Sequence, residues 1–499
     1  MRRLRRIGNV CGLLGTILKW FSLVFLVPIP FALWHGTSLL PFAIPLLVTL
    51  AVGILFERRF PDTDLEAIDG FLLVVLTWLI VSALGAIPYI VAGNDTVAHP
   101  LNAFFESVSG FTCTGSTVMG EISLQTHSHA IMIWRQLTQW LGGMGILVLA
   151  VAILPRLSVG GAQFLDNEVP GPRMDRLTPH IAETARRLWL LYLGASILLF
   201  LLLLGVHFAG IDPEMDPFQA LAHTMTTIPS GGFSPQGRSV EAFGAVVQWL
   251  LIPFMLVAGM NFALLWRAIF TGPTELAKDT EFKVYITVFV LSGLILGALL
   301  LLSAHYDGGE HTFRQAFFQI ATILTSTGFA STDFALWPGE AMIILFVLMF
   351  SCGCIGSTSG GVKVMRWIVG AKVIYREVFQ QIHPHAVRHL RLSGRVLKEK
   401  VTRSVLILIA AYFLLFAVSV VIVAIDSTLA GLDLPTLDLF SAVAATLGNI
   451  GPGVGQVGPM ENFEFLPPVT KIWMCFIMIT GRLEIMTVFV LLLPEFWRD

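Results

Sequence analysis

Leu324-Thr-Ser-Thr-Gly328-Phe-Ala-Ser331 is a polar, glycine-centred segment set between a half-length amphipathic stretch and a long apolar one. Three other segments share that setting: Phe111-Thr-Cys-Thr-Gly115-Ser-Thr117, Ile228-Pro-Ser-Gly-Gly232-Phe-Ser234 and Leu447-Gly-Asn-Ile-Gly451-Pro-Gly453. One such segment is an ordinary re-entrant turn. Four in one polypeptide supply a ring of backbone carbonyls. The glycines are 117, 96 and 123 residues apart, too irregular for a solenoid and suited to four diverged repeats around an axis.

The surrounding composition fixes the environment. Of 499 residues 55% are hydrophobic and 13% charged, which excludes a large soluble α/β enzyme and indicates a polytopic membrane protein. Ten stretches have spanning length: Leu13–Leu33, Leu39–Phe56, Phe71–Val91, Ala130–Leu154, Leu188–Phe208, Ala245–Phe270, Val284–Ser303, Ala341–Val373 (interrupted), Val405–Ile425 and Val469–Leu493. The expected fold is all-α. It has an N-terminal transmembrane helix pair (1–66) and four units of helix, pore helix, loop and helix around a central pore (67–160, 161–275, 276–400 and 401–499). The half-length stretches Leu101–Gly110, Pro217–Thr227, Thr312–Leu324 and Thr436–Thr446 are too short to cross a bilayer and read as re-entrant pore helices.

Arg2, Arg3, Arg5 and Arg6 resemble the start of a signal peptide, but the long apolar run behind them and the second span that follows indicate a retained helix. Segments 93–127, 206–242, 304–336 and 427–467 contain only two basic residues, Arg238 and Arg314. The positive-inside rule therefore places both termini in the cytoplasm. The same four segments hold fourteen acids, among them Asp95, Glu121, Asp212, Glu214, Asp307, Asp333, Asp433 and Glu464, which read as an acidic mouth that concentrates cations.

Irregular backbone at membrane depth survives only where protein or water satisfies it, so the glycine segments line a wet, enclosed space. Ser351-Cys-Gly-Cys-Ile-Gly356-Ser-Thr-Ser-Gly360-Gly361 breaks the eighth span with four glycines and four hydroxyl residues, and reads as an intramembrane loop lying under the ring. Gly356–Lys363 is not a phosphate-binding loop, because its lysine comes one place late and no strand precedes it. Arg482, near the middle of the last span, has to face a cavity or a partner. Two readings stand for it, a network with Glu484 and a positive barrier on the pore axis. Arg135, nearer the outer end of its span, is expected to hold a pore loop by hydrogen bonds. The five cysteines show no disulfide framework, His383-Pro-His385-Ala-Val-Arg-His389 reads as a solvated turn, and the ten basic residues of Lys363–Arg403 suit lipid heads or an acidic cytosolic partner.

With these features in place, the chain resembles the TrkH family of the Trk/Ktr/HKT potassium-transport superfamily over essentially its whole length. The resemblance is carried by Ser109–Gly115, Trp134-Arg-Gln…Gln139-Trp-Leu-Gly-Gly-Met-Gly145, Ala258-Gly-Met-Asn-Phe262, Gly356–Lys363 and Gly481-Arg-Leu-Glu484. The N-terminal helix pair is similar to the Trk branch. The resemblance implies a K⁺ selectivity filter of Thr112, Cys113, Thr114 and Gly115; Ser230, Gly231 and Gly232; Ser326, Thr327 and Gly328; and Asn449, Ile450 and Gly451. K⁺ would be held through Thr114, Gly115, Gly232, Thr327, Gly328, Ile450 and Gly451. It also implies a gate of Gly353, Gly356, Ser357, Gly360, Gly361, Lys363 and Arg482. The second segment departs from the pattern in Pro229 and Pro235, leaving Gly231 and Gly232 as rival filter glycines. In plant relatives a serine at the first filter position goes with sodium, so glycine at all four favours potassium. The family further implies a homodimer with one pore per protomer in a bacterial inner membrane, a cytosolic nucleotide-binding ring of the TrkA type, contact with lipids, no nucleic acid, and no cofactor beyond K⁺ as transported ion. The alternative within transport is a Na⁺- or H⁺-coupled, or Na⁺-permeable, symporter of the same fold. A membrane-embedded enzyme is the distant one, since no cluster of acids, His and nucleophile gathers in the apolar segments.

Overall fold

The computed structural model describes residues 2–60, 68–153, 181–306, 308–483 and 485–497. Asp307, Glu484 and the connection between repeats 1 and 2 at 154–180 lie outside the described residues. Among the described residues the regular structure is helical apart from a two-stranded hairpin, Arg391–Leu392 with Arg395–Val396.

Among the described residues six helices are long and apolar enough to cross a membrane, or eight spans when two bent pairs are counted. His129–Ile153 and the interrupted pair Gly339–Leu348 and Val364–Ile382 occupy the other two expected positions. The N-terminal pair, Arg2–Ser22 and Leu40–Arg59, packs with almost no side-chain layer at Gly15 and Gly53. A Cβ on Gly15 would lie 2.6 Å from the Glu57 backbone nitrogen, and one on Gly53 would lie 2.9 Å from the Gly15 oxygen. Small residues are how helices approach closely in lipid. Lys19 and Glu57 close the same contact with an ion pair at 2.7 Å.

Each repeat then gives a first helix, a pore helix and a second helix. The first helices are Asp69–Gly85 continued by Ile87–Ala92, Ile181–Phe208, Thr280–Leu302 and Glu399–Leu429. The pore helices are Pro100–Phe111, Pro217–Thr227, Gly309–Leu324 and Thr436–Leu447, so the third starts three residues before its expected position at Thr312. In the first two, proline at the first helical position follows a capping side chain: His99 accepts from Leu101 N and Asp216 from Gln219 N. The pore helices are buried at the centre, where several of their threonine hydroxyls bond to the preceding turn. Thr227 donates to His223 O at 2.6 Å and Thr446 to Ala442 O at 2.8 Å.

The second helices depart from expectation. The spans Ala245–Phe270 and Val469–Leu493 read as continuous, but both are broken. Ala245–Ala258 and Phe262–Phe270 lie at 103°, and Pro468–Arg482 and Ile485–Leu492 at 116°. The first break has a local cause: Asn261 leaves helical geometry and its side chain accepts from Ala263 N and Leu264 N, starting a new helix.

Candidate permeation site

The four polar segments are one structure repeated. Each pore helix ends in a Schellman turn, in which two successive N–H groups after the last turn bond back to carbonyls three and five residues earlier. Cys113 N and Thr114 N bond to Gly110 O and Ser109 O. Ser230 N and Gly231 N bond to Thr227 O and Thr226 O. Ser326 N and Thr327 N bond to Ile323 O and Thr322 O, and Asn449 N and Ile450 N to Thr446 O and Ala445 O. The turn residue has positive φ every time: Cys113 at 52°, Ser230 at 57°, Ser326 at 53° and Asn449 at 52°. Two residues on, the chain enters the same region at Gly115, Gly232, Gly328 and Gly451, with φ of 87°, 77°, 85° and 104°. Glycine adopts these angles without steric cost.

The register of the second segment is thereby settled: Gly232 is the counterpart of Gly115, and Gly231 that of Thr114, Thr327 and Ile450. The turns close into a ring. A Cβ on Gly115 would collide with Gly231 O, one on Gly232 with Thr327 O, one on Gly328 with Ile450 O, and one on Gly451 would sit 2.8 Å from Thr114 O. Each glycine thus faces the carbonyl of the residue before the glycine in the next repeat. All four glycines line a single cavity of about 310 Å³.

Side chains brace the ring in two ways. In repeats 1 and 3 paired threonines share a hydrogen bond, Thr112 with Thr114 at 2.6 Å and Thr325 with Thr327 at 2.7 Å. Repeats 2 and 4 lack the pair. There Gln139, from the second helix of repeat 1, donates to Gly231 O at 2.6 Å and accepts from Phe233 N at 3.0 Å. Asn449 donates to Thr114 Oγ1 at 2.8 Å and to Met478 O at 2.9 Å. The sequence assigns no role to Gln139; the only signal is Pro229 and Gly231 where repeats 1 and 3 have threonines.

Behind the first turn, the buried Arg135 Nε donates to Glu106 Oε1 at 2.7 Å, its Nη1 donates to Ser234 O at 2.9 Å, and its guanidinium lies 3.6 Å from the Phe233 ring centre. Glu106 also accepts from Thr117 Oγ1 and Val118 N, each at 3.0 Å. The ion pair lies within repeat 1, and the arginine's bond to Ser234 O and its contact with the Phe233 ring join it to repeat 2. Arg135→Ala leaves Glu106 buried and uncompensated, a change that costs about 3–5 kcal/mol. Thermal unfolding of the purified protein in detergent is expected to fall well below wild type, and an unchanged midpoint would show that the pair is dispensable.

The acids divide into two groups. Glu106, Asp212 and Asp438 are buried and accept backbone N–H groups, from Val118, Gly244 and Gln456 respectively. They are structural, and the acidic mouth read from the sequence is smaller than the count of acids indicated. Glu121 and Glu461 do line the cavity. Hydrogen bonding from Thr126 and Ser123 holds the Glu121 carboxyl below its ordinary 4.5, so it is charged at neutral pH and neutralises only as pH falls below that value. Glu121→Gln is expected to weaken apparent affinity for a cation entering the cavity a few-fold at low ionic strength. The difference should vanish in high salt, as screening of a steering charge requires, and an effect independent of salt would exclude steering.

Residues 351–363 form a loop pinched at its neck, where Cys352 N bonds to Val362 O at 2.9 Å and Val364 N to Gly353 O at 3.0 Å. The loop lies against the residues that precede the glycines. Gly353 N donates to Leu324 O at 2.8 Å, Gly360 N to Ser326 Oγ at 2.8 Å, and Thr358 Oγ1 to Ile228 O at 3.0 Å. Gly356 O accepts from Phe262 N at 3.1 Å, at the break in the second helix of repeat 2. Lys363 staples the loop internally through Ser357 Oγ and Ser359 O, and Gly361 takes φ of 59° against Cys352. Arg482 Nη1 donates to Thr358 O at 2.6 Å, while Nη2 reaches Gly142 O at 3.0 Å and Gly143 O at 3.3 Å. Its charge is thus held on carbonyls of the loop and of repeat 1; its expected alternative partner Glu484 is outside the described residues.

A family model described as TrkH, cation transport protein, matches residues 42–498. The chain belongs to the TrkH family. Within it, the Trk system potassium uptake protein TrkH of Vibrio parahaemolyticus is 38% identical over 98% of this chain and 99% of its own length. TrkH of Escherichia coli is 37% identical, and TrkG of the same species 32%, each with 99% of both chains covered. The crystal structure of the potassium transporter TrkH from V. parahaemolyticus matches with a TM-score of 0.85 at 36% identity, covering 99% of this chain and 100% of that one. As a TrkH-family protein the chain is a multi-pass membrane protein whose relatives are transporters. The all-α architecture of four repeats and an N-terminal helix pair agrees with that crystal structure.

Proposed function

We propose that this chain is the potassium-translocating subunit of a Trk-type uptake system. The observation that carries the reading is the convergence of four identical glycine-centred turns on one cavity. A dehydrated K⁺ passing the ring exchanges its water shell for carbonyl oxygens from all four repeats. Thr112–Gly115, Ser230–Gly232, Ser326–Gly328 and Asn449–Gly451 form the filter, and the loop with Arg482 is the gate. The family names support potassium as the ion, and glycine at all four filter positions is consistent with it. No acid–base chemistry is required for this function. The protein works as a homodimer in a bacterial inner membrane, with both termini and the basic Lys363–Arg403 region facing the cytoplasm, where a nucleotide-binding ring of the TrkA type docks.

Uptake of radiolabelled Rb⁺ into proteoliposomes, without an imposed ion gradient, tests the reading. Uptake blocked by K⁺ and indifferent to Na⁺ is the expected result. Uptake that appears only with a Na⁺ or H⁺ gradient replaces a pore with a coupled symporter, and uptake blocked equally by Na⁺ removes potassium selectivity.

A further inference from the structure

Glu281 is a carboxylate 2% exposed in the first turn of the first helix of repeat 3. A buried carboxylate persists only where donors compensate its lost hydration. Its Oε1 accepts from Ile355 N at 2.9 Å and from Met365 N at 3.0 Å. Ile355 lies within the intramembrane loop. Met365 is the second residue of the helix Val364–Ile382 that leaves the loop, where an N–H has no partner within the helix and a negative charge is favoured. One oxygen therefore fixes the rising limb of the loop to the start of the next helix.

The adjacent residue connects this clamp to the hairpin. Thr280 N donates to Ser393 Oγ at 3.1 Å, and the two hydroxyl oxygens are 3.2 Å apart. Ser393 and Gly394, with φ of 46° and 79°, form the two-residue turn of the hairpin Arg391–Val396. The hairpin is not a loose tip, because Leu390, Leu392 and Leu397 are buried beneath it. Lys372 Nζ donates to Arg391 O at 2.5 Å, tying it to the helix whose first turn Glu281 holds. The contacts form a closed frame: hairpin, Thr280–Glu281, loop and helix start, Lys372, hairpin.

We propose that Glu281 is the positioning residue of the intramembrane loop, and that the Arg391–Val396 hairpin acts on the loop through it. The proposal rests on the reading of that loop as the gate. A displacement of the hairpin reaches the loop through two consecutive residues of one rigid helix. Cys352 and Cys354, both buried on the limb that Glu281 holds, are native reporters of loop release.

The full-length protein in proteoliposomes tests this by Rb⁺ uptake and by the rate at which a water-soluble maleimide modifies Cys352 and Cys354. Glu281→Ala is expected to raise uptake and modification rates about tenfold, the scale of losing two buried hydrogen bonds. Glu281→Gln, whose amide oxygen still accepts both N–H groups, stays within about twofold of wild type by the same argument. Ser393→Ala moves both readouts in the same direction by less, and adds nothing to Glu281→Ala. In a variant with Gly356–Gly361 shortened, Glu281→Ala leaves uptake where shortening put it. The proposal is overturned if shortening raises uptake while Glu281→Ala changes neither readout, or if Gln and Ala behave alike. Unchanged uptake on shortening removes the gate reading itself, and the proposal with it. Where the alanine variant does not fold, Glu281→Asp, one methylene too short to reach both N–H groups, carries the same expectations.

Discussion

Gly115→Ser is expected to admit Na⁺, bringing the K⁺/Na⁺ permeability ratio toward unity and lowering total Rb⁺ uptake about tenfold or more. The residue has φ of 87°, and any Cβ placed on it meets Gly231 O. The backbone angle alone costs a non-glycine residue about 1–2 kcal/mol, and forced overlap in a packed site about 1–3 kcal/mol more. The strain is relieved by moving the Gly231 carbonyl, which belongs to the proposed filter. A displacement of a few tenths of an ångström weakens coordination of a larger dehydrated ion before a smaller one. Alanine at Gly232 or Gly328 carries the same expectation through Thr327 O and Ile450 O. Bi-ionic reversal potentials or competitive uptake measure the ratio, and an unchanged ratio in folded Gly115→Ser protein would take this residue out of the filter.

Arg482→Ala is expected to raise flux. Its guanidinium holds Thr358 O of the loop on one side and Gly142 O and Gly143 O of repeat 1 on the other. Hydrogen bonds to a charged group are worth about 1.5–3 kcal/mol each. On the proposed reading of the loop as the gate, losing the bond to Thr358 shifts it toward an open arrangement by about tenfold or more. The positive charge, whose Nη2 lies 3.6 Å from Cys113 Sγ of the proposed filter, disappears in the same substitution, which acts in the same direction. Shortening Gly356–Gly361 should raise uptake independently of Arg482. A large loss of uptake in well-folded Arg482→Ala protein would show instead that the arginine holds the conducting arrangement together.

The pore helices were legible because their signals are local: an apolar stretch too short to span, proline at two of the starts, and glycine past each end. The broken third unit was legible for the same reason. The bend of the fourth unit has a weaker mark, Gly481, which lies inside the helix that ends at Arg482. The bend in repeat 2 carries a clearer one, Gly259 followed by the capping residue Asn261, hidden in a span whose hydropathy reads as continuous. Charge count misjudged the mouth because Glu106 and Glu121 look alike in sequence, yet one is paired with Arg135 and the other faces the cavity. The roles of Gln139 and Glu281 are not legible in the sequence because their partners lie 92 residues away in the first case and 74 and 84 in the second. Only the folded chain brings them together.

The contact of each glycine with the next repeat's carbonyl runs one way around the ring, from repeat 1 to 2, 2 to 3, 3 to 4 and 4 to 1. A pore assembled from four copies of one subunit has to accept the same residue in every quadrant at once. Here each quadrant can be altered alone, and its damage falls first on a single, nameable neighbour. Genetic compensation for a change at Gly115 therefore belongs around Gly231 and its brace Gln139, and compensation at Gly451 around Thr114. The ring gives the four quarters of this pore a sense of direction that the amino acids filling them do not share.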